Sequence, residues 1–180
     1  MLSTNDSKIK WLKEKIRDIP DFPKPGIVFR DLTTLFKDGE AFAYAIDALA
    51  AETKKLQPHK IAGVEARGFI IGAAVAYKLG LGFVPIRKPG KLPGDIERLN
   101  YKLEYGEDCL EIHVDAVTQN EKIVLIDDLL ATGGTASAAC HLLQKLGADV
   151  VGTGFMVYLE ALGGKLLLPS GTHFFSLVNY

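Results

Sequence analysis

The chain has 180 residues, 48% of them hydrophobic and 24% charged, enough for one domain with a substantial core. Its 21 basic and 22 acidic side chains leave a formal charge of -1, without the basic excess that binders of long nucleic acid usually show. The longest apolar stretch, 69–77, is too short to cross a bilayer, and the opening MLSTNDSKIKWLKEK lacks a secretory apolar segment. Cys109 and Cys140 have neither metal-ligand nor disulfide-framework spacing, so the expectation is a cytoplasmic protein that engages neither membrane nor nucleic acid.

Ile9, Leu12, Ile16 and Ile19 recur at helical spacing and predict an amphipathic helix over 7–19. IPDFPKPGIVFRD follows, with three of the eight prolines between 20 and 25, which predicts a stiff, extended connector. A second helix is expected over 40–56, with Phe42, Ala45, Ile46 and Leu49 on one face. Strands and helices then alternate: a strand at 60–64, a helix at 68–79 closed by Gly80, and a strand at 81–86. Residues 87–108, RKPGKLPGDIERLNYKLEYGED, break the rhythm as a long polar loop, a length that usually signals function or disorder. CLEIHV and KIVLID predict further strands, 133–146 a helix closed by Gly147, and 150–157 the last clear strand. Such alternation implies a mainly parallel sheet flanked by helices, with ligands bound beyond the carboxyl ends of its strands. One α/β domain spanning 1–180 is expected.

The densest stretch is IVLIDDLLATGGT, 123–135. Asp127 and Asp128 lie at the carboxyl end of the strand expected at 122–126, and Ala131, Thr132, Gly133, Gly134 and Thr135 lead into a helix. Glycines let backbone N–H groups turn toward a ligand, threonines add donors, and a helix N-terminus adds partial positive charge. Those features make a cradle for a phosphate monoester. No lysine follows the glycines, so this is not a Walker loop, and G-x-G-x-x-G does not occur. The two acids cannot face a phosphate, but they would accept hydrogen bonds from vicinal sugar hydroxyls and could hold a hydrated Mg²⁺ nearby. A ribose 5-phosphate satisfies both halves. Strand-end acids and capping threonines are individually common on surface turns; the whole array in this order is what points to a ligand.

VLIDDLLATGGT resembles the phosphoribosyl-pyrophosphate motif of the type I phosphoribosyltransferases. The resemblance implies that family's α/β fold: a mainly parallel twisted sheet flanked by helices, a small N-terminal hood (1–40) and a flexible catalytic loop (87–108). It also implies transfer of ribose 5-phosphate from phosphoribosyl pyrophosphate to a nitrogenous base. Mg²⁺ would be bound mainly through that substrate and water rather than by a protein ligand set. The likeness is closest to the adenine-specific members, which make AMP in purine salvage. DFPKPGIVFRD (21–31), EARGFIIG (65–72), RKPGKLPG (87–94), YKLEYG (101–106) and the tail FFSLVNY resemble theirs in order and near-spacing. Members are typically homodimers.

The resemblance places a pyrophosphate-binding loop at Glu65, Ala66 and Arg67, where relatives tend to hold a cis peptide, and Arg87, Lys88 and Lys91 supply further cations. Glu104 matches the family's acid–base candidate, worth about 10²–10⁴-fold in rate if it positions the base. The 87–108 segment is expected to close as a lid against water, with Pro89, Gly90, Pro93, Gly94 and Gly106 as hinge points. Phe29 can stack on the base while the backbone of Val28 and Arg30 reads adenine's N1 and N6 edge. A 6-oxopurine reverses that donor–acceptor pattern. Leu159 packs on the opposite face by analogy. The four histidines have no ligand spacing, and Cys140 is read as a core residue. Three alternatives remain: a 6-oxopurine transferase, from which PGIVFRD is absent; a non-catalytic sensor of the same donor; and a scaffold, which leaves the polar constellation unexplained.

Overall fold

The computed structural model describes residues 6–102 and 106–180. Helix α1 (Asp6–Glu14) buries Leu12 and stops five residues short of the expected end. Its last turn tightens through Lys15 N–H to the Leu12 carbonyl and Ile16 N–H to the Lys13 carbonyl. Pro20 disfavours helix at Ile19 and would crowd the Ile16 carbonyl, but the stop comes earlier because the backbone from Arg17 on is taken up by pairing with Asp31. The chain instead enters strand β1 (Arg17–Pro20), which pairs antiparallel with β2 (Val28–Asp31). The expected extended connector is therefore a hairpin. Its prolines stiffen the turn rather than a straight run: Asp21 Oδ1 accepts the Gly26 N–H at 2.7 Å, Phe22 N–H reaches the Ile27 carbonyl, and the Phe22-Pro23 peptide is cis.

Helices α2 (Thr33–Phe36) and α3 (Gly39–Lys55) follow. Strand β3 (Lys60–Val64) leads into α4 (Arg67–Leu79), which ends on left-handed Gly80 before β4 (Gly82–Ile86). The described part of the 87–108 segment is more regular than its composition suggests. It contains β5 (Ile96–Lys102), paired antiparallel with β6 (Glu107–His113). Leu99 and Tyr101 turn inward onto the core while Arg98 and Asn100 face out, an alternation masked by the surrounding charges. Strand β7 (Lys122–Leu130) runs past the two aspartates, α5 (Gly134–Lys145) follows, and β8 (Asp149–Tyr158) leads through two 3₁₀ turns to β9 (His173–Asn179). The tail is thus a further strand, beyond the one expected to be last.

The main sheet is entirely parallel, in the order β4-β3-β7-β8-β9. Side chains of β7 alternate between two cores. Val124 and Ile126 meet α3 and α4 through Leu49, Ile71 and Val75, whereas Ile123 and Leu125 meet Ala139, Leu142 and Leu143 of α5. The strand order reverses between β3 and β7. At that point the crossovers leave on opposite faces and open a crevice at the strands' carboxyl ends.

Candidate active site

Both strands at the crevice end in a loop and a helix. After β3 comes the cis Glu65-Ala66 peptide and α4; after β7 come the two acids, the glycine–threonine loop and α5. Together they wall a cleft of about 300 Å³. Neither helix has a side-chain cap or an acid in its first turn: the N-cap of α4 is Ala66 and that of α5 is Gly133. Helix α3, away from the crevice, is closed conventionally by Asp38, whose carboxylate accepts the Ala41 N–H at 3.1 Å. Two uncapped helix N-termini therefore aim backbone N–H groups and partial positive charge into one cleft, the arrangement that favours anions.

The loop at 131–135 is shaped by backbone contact. Gly133 is left-handed, with φ +85, and Gly164 from the second 3₁₀ turn lies directly against it. A Cβ on Gly164 would stand 2.8 Å from the Gly133 nitrogen and would also strike the Ala131 carbonyl oxygen. Only two glycines allow this approach, so Gly164 holds the loop from behind.

The carboxylates occupy the floor. Asp127 Oδ1 accepts the Asp128 N–H at 2.8 Å, and the first turn of α4 presses on it at Gly68. Asp128 is 4% exposed. Arg67 Nε lies 2.7 Å from Asp128 Oδ2 but off the hydrogen-bonding direction, which leaves that buried oxygen with a counter-charge and an unfilled acceptor position. Burial, and then the charge of Asp128, push the Asp127 carboxyl well above the usual carboxylate range. Burial also raises Asp128, against the pull of Arg67.

Among the cations expected here, Arg67 and Lys88 reach the cleft wall, and Arg87 and Lys91 stand outside it. Arg87 instead braces the β3–α4 loop, its Nε 2.6 Å from Glu65 Oε2, while its Nη1 donates to the Lys91 carbonyl at 3.1 Å. Lys88 is held by Asp108 and by the Tyr101 hydroxyl. Phe29, on β2, packs edge-on to Phe22, and the Arg67 guanidinium lies 5.7 Å from its ring centre, which links the β1–β2 hairpin to the acid pair. Val28 is exposed; Arg30 pairs with Asp18 and stacks 3.9 Å over Tyr180. Leu159, just past β8, packs half-buried against the first core. Glu104 lies outside the described residues.

A phosphoribosyl transferase domain model matches residues 33–165. An adenine phosphoribosyltransferase from Synechococcus sp. is 54% identical over 169 residues, 94% of this chain and 98% of that protein. The chain belongs to the phosphoribosyltransferase family. Among solved structures, the adenine phosphoribosyltransferase of Thermoanaerobacter pseudethanolicus superposes with a TM-score of 0.92 at 48% identity, covering 96% of this chain and 99% of that one. The Giardia lamblia enzyme complexed with 9-deazaadenine gives 0.89 at 34% identity, over 96% and 97% of the two chains. The architecture is accordingly the type I phosphoribosyltransferase fold.

In this phosphoribosyltransferase, four residues that position the cleft's side chains and loop carry no direct signal in the sequence. Gly68 and Gly164 matter through the space beside them, which only the folded neighbours define. Tyr101 and Asp108 lie in the segment read as a loop. The strand alternation around Leu99 was the one signal that could have placed them.

Proposed function

We propose that the protein transfers the ribose 5-phosphate unit of phosphoribosyl pyrophosphate to N9 of adenine, giving AMP and pyrophosphate in purine salvage. The observation that carries this is the pair of uncapped helix N-termini on either side of an acid pair in which the buried Asp128 keeps an open acceptor. An anion at each end and a polyhydroxy unit between them describe the donor substrate. In this reading the 5-phosphate takes the N–H groups and hydroxyls of Ala131, Thr132, Gly133, Gly134 and Thr135. The ribose hydroxyls donate to Asp127 and Asp128. The pyrophosphate lies against the start of α4, Arg67 and Lys88, where cations hold it best as its charge develops. Arg87 and Lys91 keep that wall in place.

Adenine enters between Phe29 and Leu159. The second edge of β2 has no strand partner among the described residues, which leaves backbone groups of the Val28–Arg30 stretch to read the base. Glu104 positions the imidazole side of adenine so that N9 keeps its lone pair. Residues 1–40 act as the hood over the base, and 87–108, built on the β5–β6 hairpin, as the lid.

Mg²⁺ accompanies the donor. Among the described residues no group of three or more His, Cys, Asp or Glu side chains could hold a metal ion. Asp127 and Asp128, with one acceptor open, suit a cation that arrives with substrate oxygens and water as most of its ligands. When bound, it neutralises charge on the donor's diphosphate. Helix α4 exposes Ile70, Ala73 and Tyr77 along one stripe, the last 89% accessible, which supports a homodimer through this face. Among the described residues no helix is long and apolar enough to cross a membrane, and we place the enzyme in the cytoplasm.

The test offers adenine, hypoxanthine, guanine, xanthine and orotate separately with Mg²⁺ and phosphoribosyl pyrophosphate. AMP from adenine alone is expected. Nucleotide from a 6-oxopurine would overturn the base assignment, and tight donor binding without product would overturn catalysis. Light scattering checks the dimer, with a monomer refuting it.

A further inference from the structure

Two groups that the donor site needs, Lys88 Nζ and Thr135 Oγ1, are both engaged by the β5–β6 hairpin. The Tyr101 hydroxyl shares a hydrogen bond with Thr135 Oγ1 at 3.2 Å and accepts one from Lys88 Nζ at 3.3 Å. It donates to Asp108 Oδ2 at 3.0 Å, and Lys88 pairs with that same carboxylate. Tyr101 and Asp108 are direct partners in the register of the hairpin, so they move as a unit. The other Asp108 oxygen accepts the Cys109 N–H at 2.8 Å, which fixes the carboxylate in place. The side chains of Lys88 and Asp108 are 35% and 26% accessible, open enough for an incoming anion to reach the ammonium group.

An internal carboxylate thus sits on the cation that should meet the leaving group. We propose that Asp108 competes with the pyrophosphate group for Lys88, and that Tyr101 ties this exchange to the phosphate loop through Thr135. Pyrophosphate drawn to Lys88 meets the Asp108 charge at close range, so the hairpin must shift or the anion binds more weakly. When a 5-phosphate recruits Thr135 and a pyrophosphate recruits Lys88, both contacts that pin the hairpin to the cleft are released together. Asp108 is therefore a positioning residue that sets donor and pyrophosphate affinity. The inference rests on the proposed role of Lys88.

The experiment compares the parent protein with Asp108→Asn, Lys88→Met and the double variant, using inorganic pyrophosphate as inhibitor and phosphoribosyl pyrophosphate and adenine as substrates. Partly exposed ion pairs are modest, so Asp108→Asn should lower the pyrophosphate inhibition constant and the donor KM by about two- to five-fold and leave the adenine KM unchanged. In the Lys88→Met background the same substitution should have no effect. Unchanged or weaker pyrophosphate binding by a folded Asp108→Asn protein would overturn the competition. If that variant does not fold, Asp108→Ser gives the same comparison. Unaltered pyrophosphate affinity in Lys88→Met would instead remove Lys88 from the donor site, a separate failure that the single variant exposes.

Discussion

Gly68 offers a way to move one carboxylate and little else. It lies in the first turn of α4, where a Cβ would stand 2.7 Å from Asp127 Oδ1, 3.2 Å from its Cγ and 3.4 Å from the Ile126 carbonyl oxygen. Ordinary contact begins at 3.4 Å, so in Gly68→Ala the carboxylate must retreat by about 0.7 Å. Pushing the Asp127 side chain off its rotamer costs about 0.5–1.5 kcal/mol. Alanine regains roughly 0.5–1 kcal/mol of helix propensity over glycine. The two nearly cancel, and urea denaturation should find stability within about 1 kcal/mol of the parent. Catalysis is less tolerant, because a misplacement of about 1 Å at a reacting centre can cost on the order of 100-fold. AMP formation should accordingly fall ten- to a hundred-fold, by that same geometric argument, roughly in proportion to the shift. A stable variant with unimpaired turnover would refute the assignment of Asp127 to the ribose. A fall in stability of several kcal/mol would show instead that the first turn itself had been disrupted.

Asp127→Asn should separate stability from activity. Burial and the charge of Asp128 raise the Asp127 carboxyl, so its contribution to stability is present below about pH 4 and is lost as pH climbs toward the folded value; the variant should match the parent in acid, exceed it in stability at alkaline pH, and lose AMP formation. Denaturation midpoints across that range check the sign. Gly164→Ala would drive a methyl into the backbone of the 131–135 loop and, with that loop holding the 5-phosphate as proposed, should raise the donor KM by about ten-fold or more, with adenine KM nearly unchanged in initial-rate measurements. The Thr33 N–H and then Arg17 hold the Asp31 carboxyl down at about 2, so its contribution is present above about pH 4 and disappears as pH falls toward 2. Asp31→Asn should therefore cost about 1–3 kcal/mol at pH 7 and progressively less in acid, read by urea denaturation.

The parts legible in the sequence were those whose cause is local or periodic. The apolar run into Asp127 and Asp128, the glycines before α5 and the Gly80 stop each rest on a few adjacent residues, and each stands in the structure near its expected place. Three elements were not legible. Ile16 and Ile19 fit a helix as well as a strand, and the pairing of Arg17 with Asp31 decided between them. The inward alternation of Leu99 and Tyr101 was hidden among charges that the hairpin exposes to solvent. Strand β9 owes its place to β8, along which it runs parallel. The same holds within the site: the contact of Arg87 with Glu65 joins residues far apart in the chain, and only the fold brings them together.

An acid pair beside two anion-seeking helices is tolerated because a bound ligand can satisfy both. In the free protein each feature is individually unfavourable. The first turns of α4 and α5 lack caps, Asp128 keeps an unfilled acceptor, and burial pushes both carboxyls toward their neutral forms. A second set of residues holds the pieces apart at their cost: Gly68 under Asp127, Gly164 behind the loop, and Asp108 on Lys88. The proposed donor, with its cation, answers all three needs at once, because its two anionic ends cap the helices and its hydroxyls fill the acceptors. Adenine answers none of them. The partners proposed for it, Phe29 and the edge of β2, belong to a hairpin connected to this floor through Arg67, which lies between Phe29 and Asp128. Donor binding that draws Arg67 toward pyrophosphate would therefore also reset the face on which the base stacks, a physical reason for the donor to bind first.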